Sequence, residues 1–367
     1  MTALAAAFGA DRDEIRRHDF SLDSEQLAVQ EMFSELLGRH CPPERVREAE
    51  PGGFDPELWS IVLAQDALAM ALPQSLGGVG SSNVDCALVA EQVGRSAAPV
   101  PLIDALAGLR AIAPHHAQLQ PEELESLASG GEVLTIAPIP LDARPVQLLP
   151  SGSIATRVIA CEDERVLLYE GGPWPHVENL GEIPAAWWSA EDADGAVVLA
   201  SGPEHRRAFL EAVASWSVMV AAAVTGLGQS AIDVAVDFAK TRMVSGVPIG
   251  ALQGISHPLA KAHELISSSR RLAWKAAWFL DHEPQARPEL PPMALWHADR
   301  AADFAAATAL HAHGGSGFML ESDVTIYLTR AKGWGLVADP KRAAARVADL
   351  IGHGLDDART GIAGGLS

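Results

Sequence analysis

Phe238-Ala-Lys-Thr-Arg242-Met-Val-Ser-Gly246-Val-Pro-Ile-Gly250-Ala-Leu-Gln253 is a helix end that runs into a connection marked by glycine and proline. Before it, His205 to about Arg242 contains no proline. That stretch predicts one helix of about ten turns, weakened in the middle by Gly226 and Gly228. After it, a second helix is expected from about Leu252 to Asp281, then a loop over Pro284–Pro292. A third helix is expected over Met293–His313, stopping at Gly314-Gly315, with two shorter helices to follow. Apolar residues recur at helical spacing through these segments, which predicts an up-down helix bundle.

Working outward, the texture changes upstream. Between Gly130 and Gly202, short β-rich runs stand at Val133–Ile139, Val146–Leu149, Ile154–Ala160, Val166–Tyr169 and Ala196–Ala200. Gly, Pro and Asp punctuate them, as in a small antiparallel sheet or barrel. The amino-terminal third reads as helix again. One helix opens at Ser24 and is stopped by Pro42-Pro43, and another runs from Pro56 to about Leu68. A turn over Pro73–Gly80 leads to a helix from about Asn83 to Arg95. Ala98-Pro-Val-Pro101 breaks the chain before a helix that reaches about Ala113. The expected fold class is α+β, mostly α, in three domains: a helical one over 1–129, a small β domain over 130–203, and the bundle over 204–367.

Composition excludes several classes of function. The chain has 367 residues, 27 Lys and Arg against 47 Asp and Glu, and a net charge of −20. Phosphate backbones repel such a surface, so nucleic acid is not an expected partner. Cys41, Cys86 and Cys161 are odd in number and share no C-x-x-C spacing, which points to a reducing, cytoplasmic setting. No apolar run is read as reaching about 18 residues, so no membrane span is expected. Met1–Ala10 lacks a basic leader, and a signal peptide is not expected. The histidine pairs 115/116 and 311/313 have no third ligand at metal-site spacing, so no metal is assigned. Neither a Gly-x-Ser-x-Gly elbow, a P-loop nor a Rossmann fingerprint is present.

The stretch from Phe238 to Gln253 resembles the acyl-CoA dehydrogenase signature, an Arg-rich helix end followed by Phe-Gly-x-Pro-Ile-Gly-x-x-Gln. His311-Ala-His-Gly314-Gly315-Ser-Gly317-Phe318, continuing to Tyr327-Leu-Thr-Arg-Ala-Lys332, resembles that family's Gln-x-x-Gly-Gly-x-Gly-Phe segment. Pro73 with Gly77-Gly78, and Glu91-Gln-Val-Gly-Arg95, resemble its amino-terminal motifs. The resemblance implies an FAD cofactor held by Arg242, Gln253, His311, Gly314 and Gly315. Arg242 suits a pyrophosphate, and the glycines let backbone come close to a ligand. Each also has a plainer reading: Arg242 as a solvated helix-end cation, and the diglycine as a helix cap.

In that family, the resemblance implies, FAD takes a hydride from the β-carbon of an acyl thioester while a carboxylate removes the α-proton. The pattern departs here at the base. Counting forward from Ala331-Lys332, the usual glutamate falls on Ala338, followed by Asp339-Pro340. The family's alternative position, counted back from Gly226-Leu227, falls on Trp216. Asp339 is a weak substitute, and Glu211 and Glu321 are weaker still. The aromatic residue expected before Gly246 is Ser245, and the family's Trp-Ile-Ser/Thr strand is not found. Trp174, Trp187 and Trp188 read as loop residues packed at a domain seam.

The expectation is therefore an FAD-dependent dehydrogenase acting on an acyl-CoA or acyl-carrier thioester. In it this chain is the base-lacking subunit of a heteromeric enzyme, and a homo- or hetero-oligomer with a related subunit is expected. A self-sufficient enzyme using Asp339 is one alternative. A non-redox protein on the same fold is the other, as a scaffold or binding protein, or as a lyase or cyclase on a thioester-linked substrate.

Overall fold

The computed structural model describes residues 19–364 except Phe20, Pro51 and Leu320, with side chains as far as Gly352. The Ala-rich opening lies outside the described residues. Helix α1 (Ser24–His40) starts where Asp23 accepts the backbone N–H groups of Glu25 and Gln26, while the Gln26 side chain accepts from the Asp23 N–H. Pro42-Pro43 ends it and also begins α2 (Pro43–Glu48), because proline suits the first helical position. Helix α3 (Pro56–Leu63) is shorter than expected: the chain turns at Asp66, at φ +54°, into a 3-10 turn over Ala67–Ala71. Helices α4 (Asn83–Arg95) and α5 (Leu102–Ile112) follow the predicted limits closely. Helix α6 (Pro121–Ser129) was not anticipated, although Pro121-Glu-Glu is a helix-start pattern.

The β segment holds β1 (Leu134–Ile136), β2 (Val146–Leu149), β3 (Arg157–Glu162), β4 (Arg165–Glu170), β5 (Ala186–Ser189) and β6 (Gly195–Ser201). Four of them form a sheet in the order β1-β3-β4-β6, and β2 pairs with β5. The sheet is not wholly antiparallel, since β1 runs parallel to β3. Strand β5 corrects the loop assignment of two tryptophans. Period-two alternation sends Trp188 inward at 1% exposure and Trp187 outward at 59%. Trp188 meets Tyr169 and Trp174 edge to face, at ring-centroid distances of 5.2 and 6.2 Å. Trp174 and Trp188 therefore pack in the core of the sheet segment itself.

The remainder is the bundle: α7 (Pro203–Thr241), a hairpin of β7 (Met243–Val244) and β8 (Val247–Pro248), α8 (Gln253–His282), α9 (Leu290–His313), α10 (Asp323–Val337) and α11 (Pro340–Gly364). Pro291 and Pro292 sit in the first turn of α9 instead of in a loop, and α11 is a long helix of 25 residues. Helix α7 is long and apolar enough to cross a membrane by length and composition, which the sequence reading missed. Its apolar window is 67% buried, against α4, α8, α9 and α10, so it is spent on the core.

Gly226 is no weak point in α7. A Cβ there would stand 2.2 Å from the Glu91 carbonyl oxygen, and a Cβ on Gly94 would stand 1.8 Å from that of Ala223. The two glycines let α4 and α7 cross backbone to backbone. Polar contacts flank the crossing: Glu91 with Arg270 at 2.8 Å, Arg95 with Asp233 at 3.0 Å, and Ser230 Oγ donating to the Arg95 carbonyl at 2.8 Å. This seam fixes the amino-terminal helices on the bundle, and with them the walls of the site.

Candidate functional site

One group of candidate residues gathers at an end of the bundle. Phe238 stacks on His313 with ring centroids 4.3 Å apart, so the carboxyl ends of α7 and α9 lie side by side. The hairpin after α7 closes with Ile249 N–H donating to the Arg242 carbonyl at 2.9 Å, and delivers Gln253 to the start of α8. Arg242, Gln253, His311, Gly314 and Gly315 thus lie toward the same end of the bundle, and all are exposed. No ion pair or side-chain hydrogen bond engages Arg242 among the described residues. Ser245 and Gly246, at φ +51° and +83°, make the two-residue hairpin turn, which explains the glycine locally.

The diglycine separates into two cases. Gly314, at φ +58°, ends α9, and its N–H is shared by the carbonyls of Leu310 and His311. Gly315 carries no such strain, and a Cβ on it would meet no atom of the described residues within 4 Å apart from its chain neighbours. Its openness is unrelated to packing within the chain. An exposed guanidinium, an amide, an imidazole and uncovered backbone suit an anionic dinucleotide laid on this end from outside. Met243, Val244, Val247, Leu252, Phe318 and Met319 are apolar and exposed in the neighbouring segments.

The base positions lie elsewhere and come together. Trp216 on α7 and Ala338 after α10 line one cavity of about 290 Å3, together with Asp339. Arg207, Arg342 and Arg346 bring positive charge to its wall. Burial first, and then the neighbouring Arg144 and Arg346, lower the proton affinity of Arg342, against the raising effect of Asp339. Asp339 is already engaged: its Oδ1 accepts the Arg342 backbone N–H at 3.1 Å, capping α11, and its Oδ2 pairs with Arg144 at 3.3 Å. Glu211 lines the same cavity and accepts from Gln285 at 3.1 Å. Glu321 is exposed, and its carbonyl accepts from Arg47 at 3.3 Å.

The residue that sequence reading missed is Asp104. It lines a smaller inner cavity of about 80 Å3, accepts the Trp216 indole N–H on Oδ1 at 2.8 Å, and accepts Ser151 Oγ on Oδ2. The available signal was a lone acid in the apolar run Leu102-Ile-Asp-Ala-Leu-Ala-Gly-Leu. Burial pushes its carboxyl up, against the lowering effect of the two donors. The folded chain therefore holds this proton to higher pH than the unfolded chain does. Its contribution favours folding at low pH and is lost as pH rises from the ordinary carboxylate range, about 3.9, through the raised value. Asp104→Asn should flatten the fall in Tm across that window. A Tm–pH profile with the same slope for both proteins would count against the assignment.

Comparison with known proteins agrees with this layout. Residues 23–120 match the family described as acyl-CoA dehydrogenase, N-terminal domain, and residues 207–335 match acyl-CoA dehydrogenase, C-terminal domain. Acyl-CoA dehydrogenase IpdE2 of Mycolicibacterium smegmatis is 26% identical over 338 residues, covering 89% of this chain and 98% of its own. IpdE2 of Mycobacterium tuberculosis is 27% identical, covering 88% and 95%. Among solved structures, the steroid ACAD Tcur3481-Tcur3483 superposes with a TM-score of 0.80 at 23% identity, over 90% of this chain and 99% of that one. The ChsE4-ChsE5 complex from Mycobacterium tuberculosis gives 0.76 at 22% identity, over 91% and 99%. With the amino- and carboxyl-terminal domains both matched and the small sheet lying between them, the chain belongs to the acyl-CoA dehydrogenase family.

Proposed function

We propose that this chain is the base-lacking subunit of a heteromeric, FAD-dependent acyl-CoA dehydrogenase that forms an α,β double bond in an acyl thioester. The observation that carries the reading is the meeting of Trp216 and Ala338 on one cavity. These are the two positions where the family places its glutamate, and neither side chain accepts a proton. Asp339, beside them, is committed to a helix cap and to Arg144. The α-proton then leaves to a carboxylate on a related subunit.

The outward-facing donors support the same reading. FAD, when bound, supplies the acceptor for the hydride that leaves the β-carbon. Arg242 would hold its pyrophosphate by charge-assisted hydrogen bonds, Gln253 and His311 would supply donors to its edges, and Gly315 would leave the approach clear. With all five residues exposed toward one end of the bundle, a second subunit is needed to wall the cofactor in. Arg207, Arg342 and Arg346 suit the phosphates of a coenzyme A or acyl-carrier thioester. The ChsE4-ChsE5 structure, a complex of two chains on this fold, fits that arrangement.

The test is an absorption spectrum of the chain purified alone and after co-expression with a family member encoded beside its gene. Flavin bands are expected only in the co-purified complex. Flavin retained by the chain alone would favour a self-sufficient enzyme. A colourless product in both preparations would overturn the dehydrogenase reading and favour a non-redox protein on the same fold.

A further inference from the structure

Two residues, Trp216 and Val337, line both the outer cavity beside Ala338 and the inner cavity beside Asp104. The Trp216 indole is 2% exposed and stands between spaces of about 290 and 80 Å3. Three parts of the chain converge on it. Trp216 belongs to α7, Asp104 of α5 accepts its N–H at 2.8 Å, and Ser151, just beyond β2, holds the other oxygen of Asp104. The ring cannot swing aside without leaving a buried donor and a buried carboxyl short of partners. Beyond it the smaller chamber is largely apolar, with Val93, Ile103, Val220 and Ala223 in its wall beside Glu182 and Arg330, and Trp216 and Val337 are the residues it shares with the arginine-lined one.

We propose that Trp216 decides which thioesters this chain admits. Pinned by Asp104 and Ser151, it closes the inner chamber, so the arginine-lined cavity takes the carrier and gives a long acyl group no advantage over a short one. The inference rests on the reading that this cavity receives the thioester. It assigns a specificity role to a side chain that stands where a catalytic carboxylate would.

The experiment is a calorimetric binding series on the full-length chain with coenzyme A, acetyl-CoA and octanoyl-CoA. In the unsubstituted protein the three should bind within about threefold of one another, because the added methylenes find no apolar wall. Trp216→Ala should raise the affinity for octanoyl-CoA relative to that for coenzyme A at least about tenfold, since each buried methylene strengthens binding roughly fourfold. Trp216→Phe, a smaller change that keeps an aromatic ring but lacks the N–H, should show part of that gain and guards against a misfolded alanine variant. Octanoyl-CoA binding the unsubstituted chain about tenfold more tightly than acetyl-CoA would overturn the proposal. So would a flat series in both variants. If coenzyme A, which has no acyl chain, also fails to bind, the arginine-lined cavity is misread and the proposal falls with it.

Discussion

Alanine at Gly94 should destabilise the chain by at least about 3 kcal/mol, because overpacking that displaces backbone sits at the upper end of its usual cost. The added Cβ would stand 1.8 Å from the Ala223 carbonyl oxygen and 2.7 Å from the Ala223 Cα. Neither is the tip of a side chain that can rotate away. To accommodate the methyl group, α4 and α7 have to separate, and the separation strains the Glu91–Arg270 and Arg95–Asp233 pairs beside the crossing. At roughly 2–4 °C per kcal/mol for domains of 150–250 residues, Tm should fall by about 6–12 °C. A thermal melt followed by circular dichroism reads this directly. A shift smaller than about 2 °C would mean that the two helices do not meet as described.

The second large effect is functional. Arg242→Met should leave Tm within the scatter of a surface substitution, about 0.5 kcal/mol, since the guanidinium is exposed and makes no ion pair among the described residues. The same variant should weaken flavin retention by the assembled complex by about ten- to a hundredfold, the usual worth of a charge-assisted hydrogen bond or two. Equilibrium dialysis of the co-purified complex, with flavin absorbance as the readout, measures it. Unchanged retention would return Arg242 to the role of a solvated cation at a helix end. The space at Gly94 is filled by this chain's own backbone, whereas Arg242 is left open by it.

The helices were legible wherever local chemistry set their limits. Asp23 and Ser82 cap the starts of α1 and α4, and the apolar spacing between start and stop runs on without interruption. The reading failed where local and tertiary preferences diverge. Trp187-Trp188 looked like loop because Pro184 and alanines precede it, yet pairing with β2 makes it a strand. Gly226 looked like a flaw because a helix propensity counts only its own helix, while the gain lies on α4, more than a hundred residues upstream. The length of α7 was legible, but its sheathing by α5 as well as by α4, α8, α9 and α10 was not.

By itself the sequence determined the order of the long helices, the family motifs and the residues at the two positions that the resemblance assigns to a base, because each of these is carried by neighbours along the chain. It also determined that Ala338 and Trp216 cannot take a proton, since that follows from side-chain chemistry alone. Only the tertiary structure decided that these two positions, far apart in the chain, share a cavity, and that Asp104 fastens Trp216 between that cavity and a second one. It likewise decided that Arg242, Gln253, His311, Gly314 and Gly315, which we propose hold the cofactor, are exposed. The physical reason is range. Capping, periodicity and turn chemistry act within a few residues, whereas a hydrogen bond from α7 to α5 and a shared cavity wall depend on how whole helices pack.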